Sequence, residues 1–232
     1  IIFITHKLRE VLEVADEVTV MRNGQVVGST TPSETDESGL AEMMVGRSVV
    51  LRVAKEESSP GETILKVNNL CVHDDRDLLA VNDLSLEVKS GEILGIAGVE
   101  GNGQRELVET ITGLRNAKTG EILISDTSII EFSPRQISEL GVAHIPEDRE
   151  KHGLIGAHSV ADNLILNRYY KTPFSNKGIR QQKAIANYAT EMVEKFDIRT
   201  PDIDTPSSSL SGGNKQKAIA AREFSHDAKL LV

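Results

Sequence analysis

The sequence predicts an α/β fold with a mixed sheet core, an antiparallel β subdomain and a helical subdomain, and three patterns indicate it. Residues 64–72 and 80–89 alternate apolar and polar side chains, as antiparallel strands do. Residues 93–97 form a continuous apolar run, typical of a strand buried on both faces, and the glycine-rich stretch 98–103 follows it directly. From about Ser159 to Phe224 the apolar spacing is mostly helical.

Ahead of these patterns the sequence predicts a separate group of elements. They are a strand at 1–5, a helix at 7–14, a strand at 16–21, a tight turn at 22–25 and a helix at 38–45. The turn is indicated by Asn23 followed by Gly24, and the polar run from Lys55 to Gly61 predicts a linker. We therefore divide the chain into a first domain at 1–47, a linker at 48–62 and a second domain at 63–232.

Further elements of the second domain follow the glycine-rich stretch. We expect a helix that ends at Gly113, a strand at 120–125, a helix at 134–140, a strand at 142–145 and a long helix from Gly212. The mostly apolar residues 228–232 predict one more buried strand. Interior strands need both flanks for their placement, and strands are predicted at both ends of this sequence. We therefore expect the chain to be an internal piece of a longer polypeptide.

Composition and charge restrict the classes of protein. Of 232 residues, 39% are hydrophobic, which is ordinary for a globular protein with a buried core. The net charge of −9 argues against a nucleic-acid partner, so an anionic ligand needs backbone donors and a few placed cations. The single cysteine, Cys71, excludes an internal disulfide. No apolar run approaches the roughly 20 residues that span a bilayer, so a membrane role has to depend on a partner.

The glycine-rich loop lies between a predicted strand and a predicted helix, where a phosphate cradle belongs. Its residues are Gly98, Val99, Glu100, Gly101, Asn102, Gly103, Gln104 and Arg105. A working P-loop reads G-x-x-x-x-G-K-S/T, in which Lys reaches the terminal phosphates and Ser or Thr holds Mg²⁺. Here Gln104 takes the place of Lys and Arg105 that of Ser or Thr, although Gly98, Gly101, Asn102 and Gly103 still offer backbone N–H donors.

Two interpretations of this loop stay open. It either binds a nucleotide without efficient hydrolysis, or it is a tight turn between strand and helix that holds no ligand. Arg105 either replaces part of the missing positive charge or is a solvated surface residue.

A second glycine motif opens the long helix. It comprises Leu210, Ser211, Gly212, Gly213, Asn214, Lys215, Gln216 and Lys217. Ser211 is a natural N-cap, and the two glycines leave backbone N–H groups exposed at the positive end of the helix dipole. That end can bind the terminal phosphate of a nucleotide presented by another domain. Capping alone explains Ser211 but not the whole string.

The string from Leu210 to Gln216 resembles the signature of ABC ATPases, usually written LSGGQ. Its distance from the glycine-rich loop, 211 − 103 = 108 residues, agrees with that family, and the resemblance covers essentially all of the chain. It implies a P-loop NTPase of the ABC type, in which the helical subdomain carries the signature. The strand at 228–232 would then begin the Walker B strand, with its carboxylate farther along.

The resemblance also implies roles for single residues. His6 resembles the switch histidine and would orient the attacking water and the γ-phosphate, although it can also be a strand-end histidine with local hydrogen bonds. Glu147 stands where the Q-loop has Gln and would couple the nucleotide site to a membrane subunit, or it is a surface acid. His73 is the nearest candidate to stack on adenine, and a solvated loop histidine is the alternative.

In this family two nucleotide-binding domains meet head to tail, so each ATP lies between one P-loop and the opposing signature. By that topology Ser211, Gly212, Gly213 and Asn214 would face the P-loop of the first domain. His6 would serve the same hydrolytic site from the other side. No metal ligand of this chain is predicted.

Residues 43–47, the segment from Pro146 to Arg149 and the altered second P-loop resemble the tandem ATPases of simple-sugar and nucleoside importers. This implies an ATP-hydrolysing subunit that uses ATP and, in the complete protein, Mg²⁺. The implied partners are transmembrane permease subunits, the other nucleotide-binding domain of the same polypeptide and, indirectly, an extracellular solute-binding protein, but no nucleic acid. The implied location is the cytoplasmic face of the cell membrane, as a peripheral protein.

Two alternatives come from other classes. One is a soluble tandem ABC ATPase that acts on the ribosome or on DNA, and Gln104, Arg105 and the net charge of −9 argue against it. The other is a non-catalytic nucleotide-binding or dimerisation module. We expect no appreciable ATP hydrolysis from the chain in isolation.

Overall fold

The computed structural model describes residues 1–46 and 58–232. The chain forms two compact units, residues 1–57 and residues 58–232. Arg47 and most of the linker predicted at 48–62 lie outside the described residues, so the predicted domain boundary stays a prediction.

The first unit is a small hairpin with two helices. Its elements are α1 (Leu8–Val14), β1 (Val18–Arg22), β2 (Gln25–Thr30) and α2 (Glu37–Val45). Asn23 and Gly24 have φ values of 52° and 77°, which the tight turn between β1 and β2 requires. Asp36 accepts a hydrogen bond from the Gly39 amide at 2.8 Å and caps α2. Val18, Val20 and Leu40 form the buried centre, so this segment has a core of its own.

The larger unit contains an antiparallel sheet in the order β4-β3-β5-β6. The strands are β3 (Thr63–His73), β4 (Leu79–Lys89), β5 (Thr119–Ile124) and β6 (Thr127–Ser128), and α3 (Gln104–Ile111) follows β4 in the chain. Leu107 and Ile111 of α3 are buried in one core cluster with residues of β3 and β5. The glycine-rich loop is therefore held at the edge of this core, where α3 begins.

Two short strands join distant parts of the larger unit. After α4 (Pro134–Glu139), β7 (Val142–Ala143) pairs in parallel with β10 (Leu230–Leu231). Both are shorter than the strands predicted at 142–145 and 228–232. The pairing places residues 230–231, which follow the long helix of the signature, beside residues 142–143, which precede Glu147.

The helical part of the larger unit carries the signature. Its elements are α5 (Val160–Leu164), β8 (Ser175–Asn176), β9 (Ile179–Arg180), α6 (Gln182–Lys195) and α7 (Gly212–Phe224). Leu164, Ala189 and Ile219 belong to its buried core, so α5, α6 and α7 pack on one another as the helical spacing predicts. Across the described ranges 1–46 and 58–232, no helix combines the length and apolar character needed to cross a membrane.

Two predicted strands are wrong. Residues 1–5 and 93–97 have no strand conformation, and Ile2 and Ile93 are 92% and 80% exposed. A strand needs a neighbour that supplies its ladder of hydrogen bonds, and no strand in the described part of the chain pairs with either segment. Both segments are apolar, but an apolar pattern alone does not supply a neighbouring strand.

Candidate functional site

The start of α7 is open to solvent. Ser211 and Gly213 are exposed, and a Cβ built on Gly213 would meet no atom within 4 Å. The Ser211 hydroxyl accepts hydrogen bonds from the backbone N–H of Asn214 at 3.5 Å and from its side-chain Nδ2 at 3.0 Å. Leu210 is buried and fixes the chain just before this end. The first amides of a helix have no partner within it, so α7 presents free donors at its positive end.

Asn214 has a second role in shaping this end. Its side-chain Oδ1 accepts a hydrogen bond from the Arg199 backbone N–H at 2.9 Å. The amide group is thereby held from both sides, by Ser211 and by the loop that precedes the signature. The donors of α7 are consequently fixed in direction before any ligand arrives.

A short π-helical turn, residues Arg149–Gly153, follows the exposed Glu147. Asp148 accepts hydrogen bonds from the backbone N–H groups of Glu150 and Lys151 at 2.9 and 3.1 Å. These bonds, first that of Lys151, lower the pKa of the Asp148 carboxyl, because they favour its ionised form. The turn that begins beside Glu147 is therefore well fixed by local bonds.

The glycine-rich loop is exposed up to its last glycine. Residues 98–102 are exposed, whereas Gly103 is buried and has a φ of 94°. A Cβ on Gly103 would lie 2.3 Å from the Ala80 carbonyl oxygen, so only glycine fits where β4 approaches the loop. The backbone of this loop is accessible to a phosphate group.

The side chain of Gln104 folds back across the loop. Its Nε2 donates to the Val99 carbonyl oxygen at 3.3 Å, and the same atom lies 1.8 Å from where a Cβ on Gly98 would be. An amide without charge therefore occupies the place where a P-loop lysine would reach the phosphates. This is the structural reason for expecting weak binding there.

Arg105 points away from the loop. Its Nε donates to Glu109 Oε1 at 2.7 Å, and Arg115 holds the other oxygen of that carboxylate at 2.7 Å. Burial raises the pKa of Glu109, but the hydrogen bonds from both arginines outweigh it and the net shift is downward. Arg105 is thus paired with Glu109 and not directed at the loop, and the i,i+4 spacing of the two residues is a sequence signal for this pairing.

The loop does not fit Mg²⁺. The position that supplies a hydroxyl ligand in a working P-loop holds a guanidinium, which repels a cation and offers no lone pair. Among residues 1–46 and 58–232, no group of three or more His, Cys, Asp or Glu side chains is placed to hold a metal ion. The exposed amides fit an anion, so phosphate is the only part of a nucleotide–magnesium complex that this loop suits.

Two histidines singled out from the sequence have different surroundings. His6 is exposed and lies just before α1 in the first unit, so its pairing with Ser211 at one site stays a prediction. The Nδ1 atom of His73 is 2.7 Å from Asp77 Oδ1, and its backbone carbonyl accepts from Arg115 at 3.0 Å. His73 is therefore bound into the β3–β4 turn and is not a freely solvated loop residue.

A cavity of about 170 Å³ was not anticipated from the sequence. Thr112, Pro134, His144, Pro146, Asn167 and Arg222 are among its lining residues. A buried ion pair closes one side, since Arg222 Nε donates to Glu223 Oε1 at 2.6 Å. Glu223 Oε2 also accepts from the His144 backbone N–H at 3.3 Å, and burial lowers the pKa of the His144 ring.

A signal for this ion pair does exist in the sequence. Lys215, Ile219 and Arg222 follow one another at spacings of four and three, so they share one stripe of α7. The same stripe carries Ile219 into the core, which indicates that Arg222 is buried and needs a partner.

Comparison with known proteins agrees with this geometry. A family model described as "ABC transporter" matches residues 81–232. The guanosine import ATP-binding protein NupO of Bacillus subtilis is 44% identical over 219 residues, which is 94% of this chain and 43% of that protein. The nucleoside import ATP-binding protein NupA of Lactococcus lactis is 43% identical over 232 residues, 100% of this chain and 46% of that protein. A glucose import ATP-binding protein of Haloferax volcanii is 43% identical over 234 residues, covering 100% of this chain and 42% of that protein.

The chain therefore spans less than half the length of these curated relatives. Among solved structures, a nucleotide-free ATP-binding cassette from an ABC transporter matches with a TM-score of 0.59 at 19% identity, covering 73% of this chain and 67% of that one. A dimeric cassette in a post-hydrolysis state, bound to ADP and phosphate, matches with a TM-score of 0.60 at 18% identity, covering 72% of each chain. These likenesses confirm the predicted fold class.

Proposed function

This chain belongs to the ABC transporter family, and from that membership we propose that it is part of the ATP-binding and hydrolysing subunit of an importer for nucleosides or simple sugars. The observation that carries the proposal is the open start of α7, where Ser211 and Gly213 of the signature string are exposed to solvent. The relatives are named as import proteins for guanosine, nucleosides or glucose, and these names support nucleosides or simple sugars as the class of solute.

The signature acts as an anion-binding end. The amides of Gly212 and Gly213 lie at the positive pole of a helix of 13 residues, and Ser211 caps the amide of Asn214 behind them. Donors that are fixed before the reaction stabilise charge that develops on a transferring phosphoryl group, because they need no rearrangement at that moment. ATP, when bound between this end and a facing P-loop, supplies the phosphoanhydride bond that is cleaved.

The two nucleotide sites of the complete protein then differ. The signature of this chain faces the P-loop of the first nucleotide-binding domain, where His6 and Mg²⁺ complete a hydrolytic site. The loop from Gly98 to Arg105 forms the other site, which binds nucleotide weakly and does not use Mg²⁺. The partners are permease subunits in the membrane, and a solute-binding protein delivers the solute to them from outside. The chain works at the cytoplasmic face of that membrane.

The test uses the complete protein with its permease and solute-binding protein in lipid vesicles. In the Gly213→Asp variant a carboxylate stands at the anion-binding end, and we expect hydrolysis to fall by about 100-fold, the scale of losing an oxyanion donor. The same carboxylate favours the helix dipole, so the melting temperature should not fall. Loss of activity without loss of stability separates function from folding.

A matched control places the same charge at another exposed helix start. Gln182 is the first residue of α6 and is exposed, so Gln182→Asp should leave hydrolysis unchanged. Uptake of labelled nucleosides and sugars identifies the solute. Unchanged hydrolysis in Gly213→Asp, or uptake of neither class of solute, would contradict the proposal.

A further inference from the structure

The turn that follows Glu147 is attached along the side of α7. Lys215 Nζ contacts both carboxylate oxygens of Glu150, at 2.8 and 3.0 Å. Farther along the helix, Arg222 Nη1 donates to the Gly153 carbonyl oxygen at 2.8 Å. A Cβ on Gly153 would lie 2.4 Å from Ile219 Cδ1, so the backbone of the turn and the helix are in close contact.

The attachment extends to the signature itself. The guanidinium of Arg149 lies over Gly212, with its Nη2 2.9 Å from where a Cβ on that glycine would be. Asp148 fixes the turn internally through its backbone bonds, so the turn is held both within itself and against the helix. Glu147, at the near end of this turn, remains exposed.

The Glu150–Lys215 pair does little for folding. The Glu150 side chain is 59% exposed, and pairs between exposed charges stabilise proteins only slightly. Lys215, in contrast, is 12% exposed, although a lysine on a helix surface usually extends into water. The Lys215 ammonium is thus directed at the Glu150 carboxylate. This contact orients the turn on the helix, and it contributes less to the stability of the turn or of the helix.

We propose that Lys215 and Glu150 are positioning residues that tie the signature end of α7 to the turn after Glu147. When the membrane partner displaces that turn, the pair carries the movement to the start of α7 and changes how it meets the facing nucleotide. Neither residue touches the reacting atoms. The inference rests on the proposed function and adds a regulatory contact to the same site.

The test again uses the complete protein with permease and solute-binding protein in vesicles. Lys215→Glu and Glu150→Lys each set like charges against each other, and the double variant restores an opposite pair. We expect each single variant to lower solute-stimulated hydrolysis roughly three- to thirtyfold, the range of coupling through contact networks. For Glu150→Lys, which lies outside the signature string, basal hydrolysis and the KM for ATP should change little. For Lys215→Glu the readout is the ratio of stimulated to basal hydrolysis, because its carboxylate lies near the anion-binding end of α7. The double variant should recover that ratio.

Lys66→Glu is the matched control, since it reverses a charge in an ion pair of the sheet, where Lys66 of β3 pairs with Glu87 of β4 at 3.1 Å. It should leave the stimulated rate unchanged. Should Lys215→Glu fail to fold, Lys215→Gln removes the charge but keeps the apolar stem, and the same loss of stimulation is expected. An unchanged ratio of stimulated to basal hydrolysis in either variant, or no recovery in the double variant, overturns the inference. A wild-type protein that does not hydrolyse ATP at all overturns the proposed function as well, so the two failures are distinguishable.

Discussion

At the scale of single residues, the glycines of the loop differ in what holds them. Gly101 and Gly103 both have positive φ, at 90° and 94°. Gly101 has open space around a Cβ, whereas at Gly103 a Cβ would lie 2.3 Å from the Ala80 carbonyl oxygen. Backbone conformation alone therefore requires glycine at the first position, and close packing is added at the second.

We expect Gly103→Ala to lower the free energy of unfolding by about 3 kcal/mol or more, because strain at positive φ is combined with a steric clash. Gly101→Ala is the control and should cost about 1 kcal/mol, the conformational part alone. Urea unfolding of both variants checks the difference. Equal losses would mean that the loop simply moves away from β4.

The sequence predicted residue types at the site better than their contacts. Gly103 and Ser211 stand where the motifs require them, because backbone geometry selects their residue types directly. The folding back of Gln104 onto Gly98 could not be predicted, since a flexible amide side chain has no pattern that fixes its partner. The contact of Arg105 with Glu109 is different, because a spacing of four residues in a helix is a sequence signal for an ion pair.

At the scale of elements, the turn between β3 and β4 is held by a carboxylate. Asp74 accepts hydrogen bonds from the Leu78 and Arg76 backbone N–H groups, each at 2.9 Å, and from the Arg76 guanidinium. These bonds, first that from Leu78, lower the pKa of Asp74 from 3.8 to about 2. A carboxyl whose pKa is lower in the folded state stabilises the fold at pH values above its pKa in the unfolded state. This contribution is lost as the pH falls through the pKa of the folded state.

We therefore expect the turn to keep its hydrogen bonds at pH 3.8 and to lose them as the pH falls through about 2. The amide signal of Leu78 in NMR should titrate with a midpoint near 2, and Asp74→Asn should remove that titration. A midpoint at the ordinary value of 3.8 would show that Asp74 does not hold the turn.

Elements stabilised by nearby residues were predicted well from the sequence. The long strands β3 and β4 and the helices α3, α6 and α7 have periodic apolar faces, which are local signals, and α7 also has its cap, Ser211, in the adjoining residue. The segments 1–5 and 93–97 are also apolar but form no strand, because a strand depends on a neighbour that is often far away in sequence. Local pattern therefore predicts helices and hairpins more securely than it predicts isolated sheet strands.

At the scale of the whole molecule, the proposed function gives the chain one half of each of two different nucleotide sites. Its signature is complete. The glycine-rich loop, in contrast, has Gln104 in place of the P-loop lysine and Arg105 in place of the residue with the hydroxyl. In a head-to-tail pair of domains the two halves serve different nucleotides, so changes in the loop and changes in the signature should be separable. That separation distinguishes a defect in binding from a defect in turnover.

The double variant Gln104→Lys with Arg105→Ser tests this separation in the chain itself. Lysine supplies the missing charge and serine the missing hydroxyl, so calorimetry should show ATP affinity rising about tenfold or more, with a new requirement for Mg²⁺. Arg105→Ser alone is the control. It removes one partner of Glu109 but leaves Arg115 in place, and it should not raise ATP affinity.

Phosphate release should nevertheless stay far below the order of 1 s⁻¹ in the double variant, because the repaired loop still lacks a signature facing it. Turnover on that order by the chain alone, or tight magnesium-dependent binding before repair, would contradict the division of the two sites.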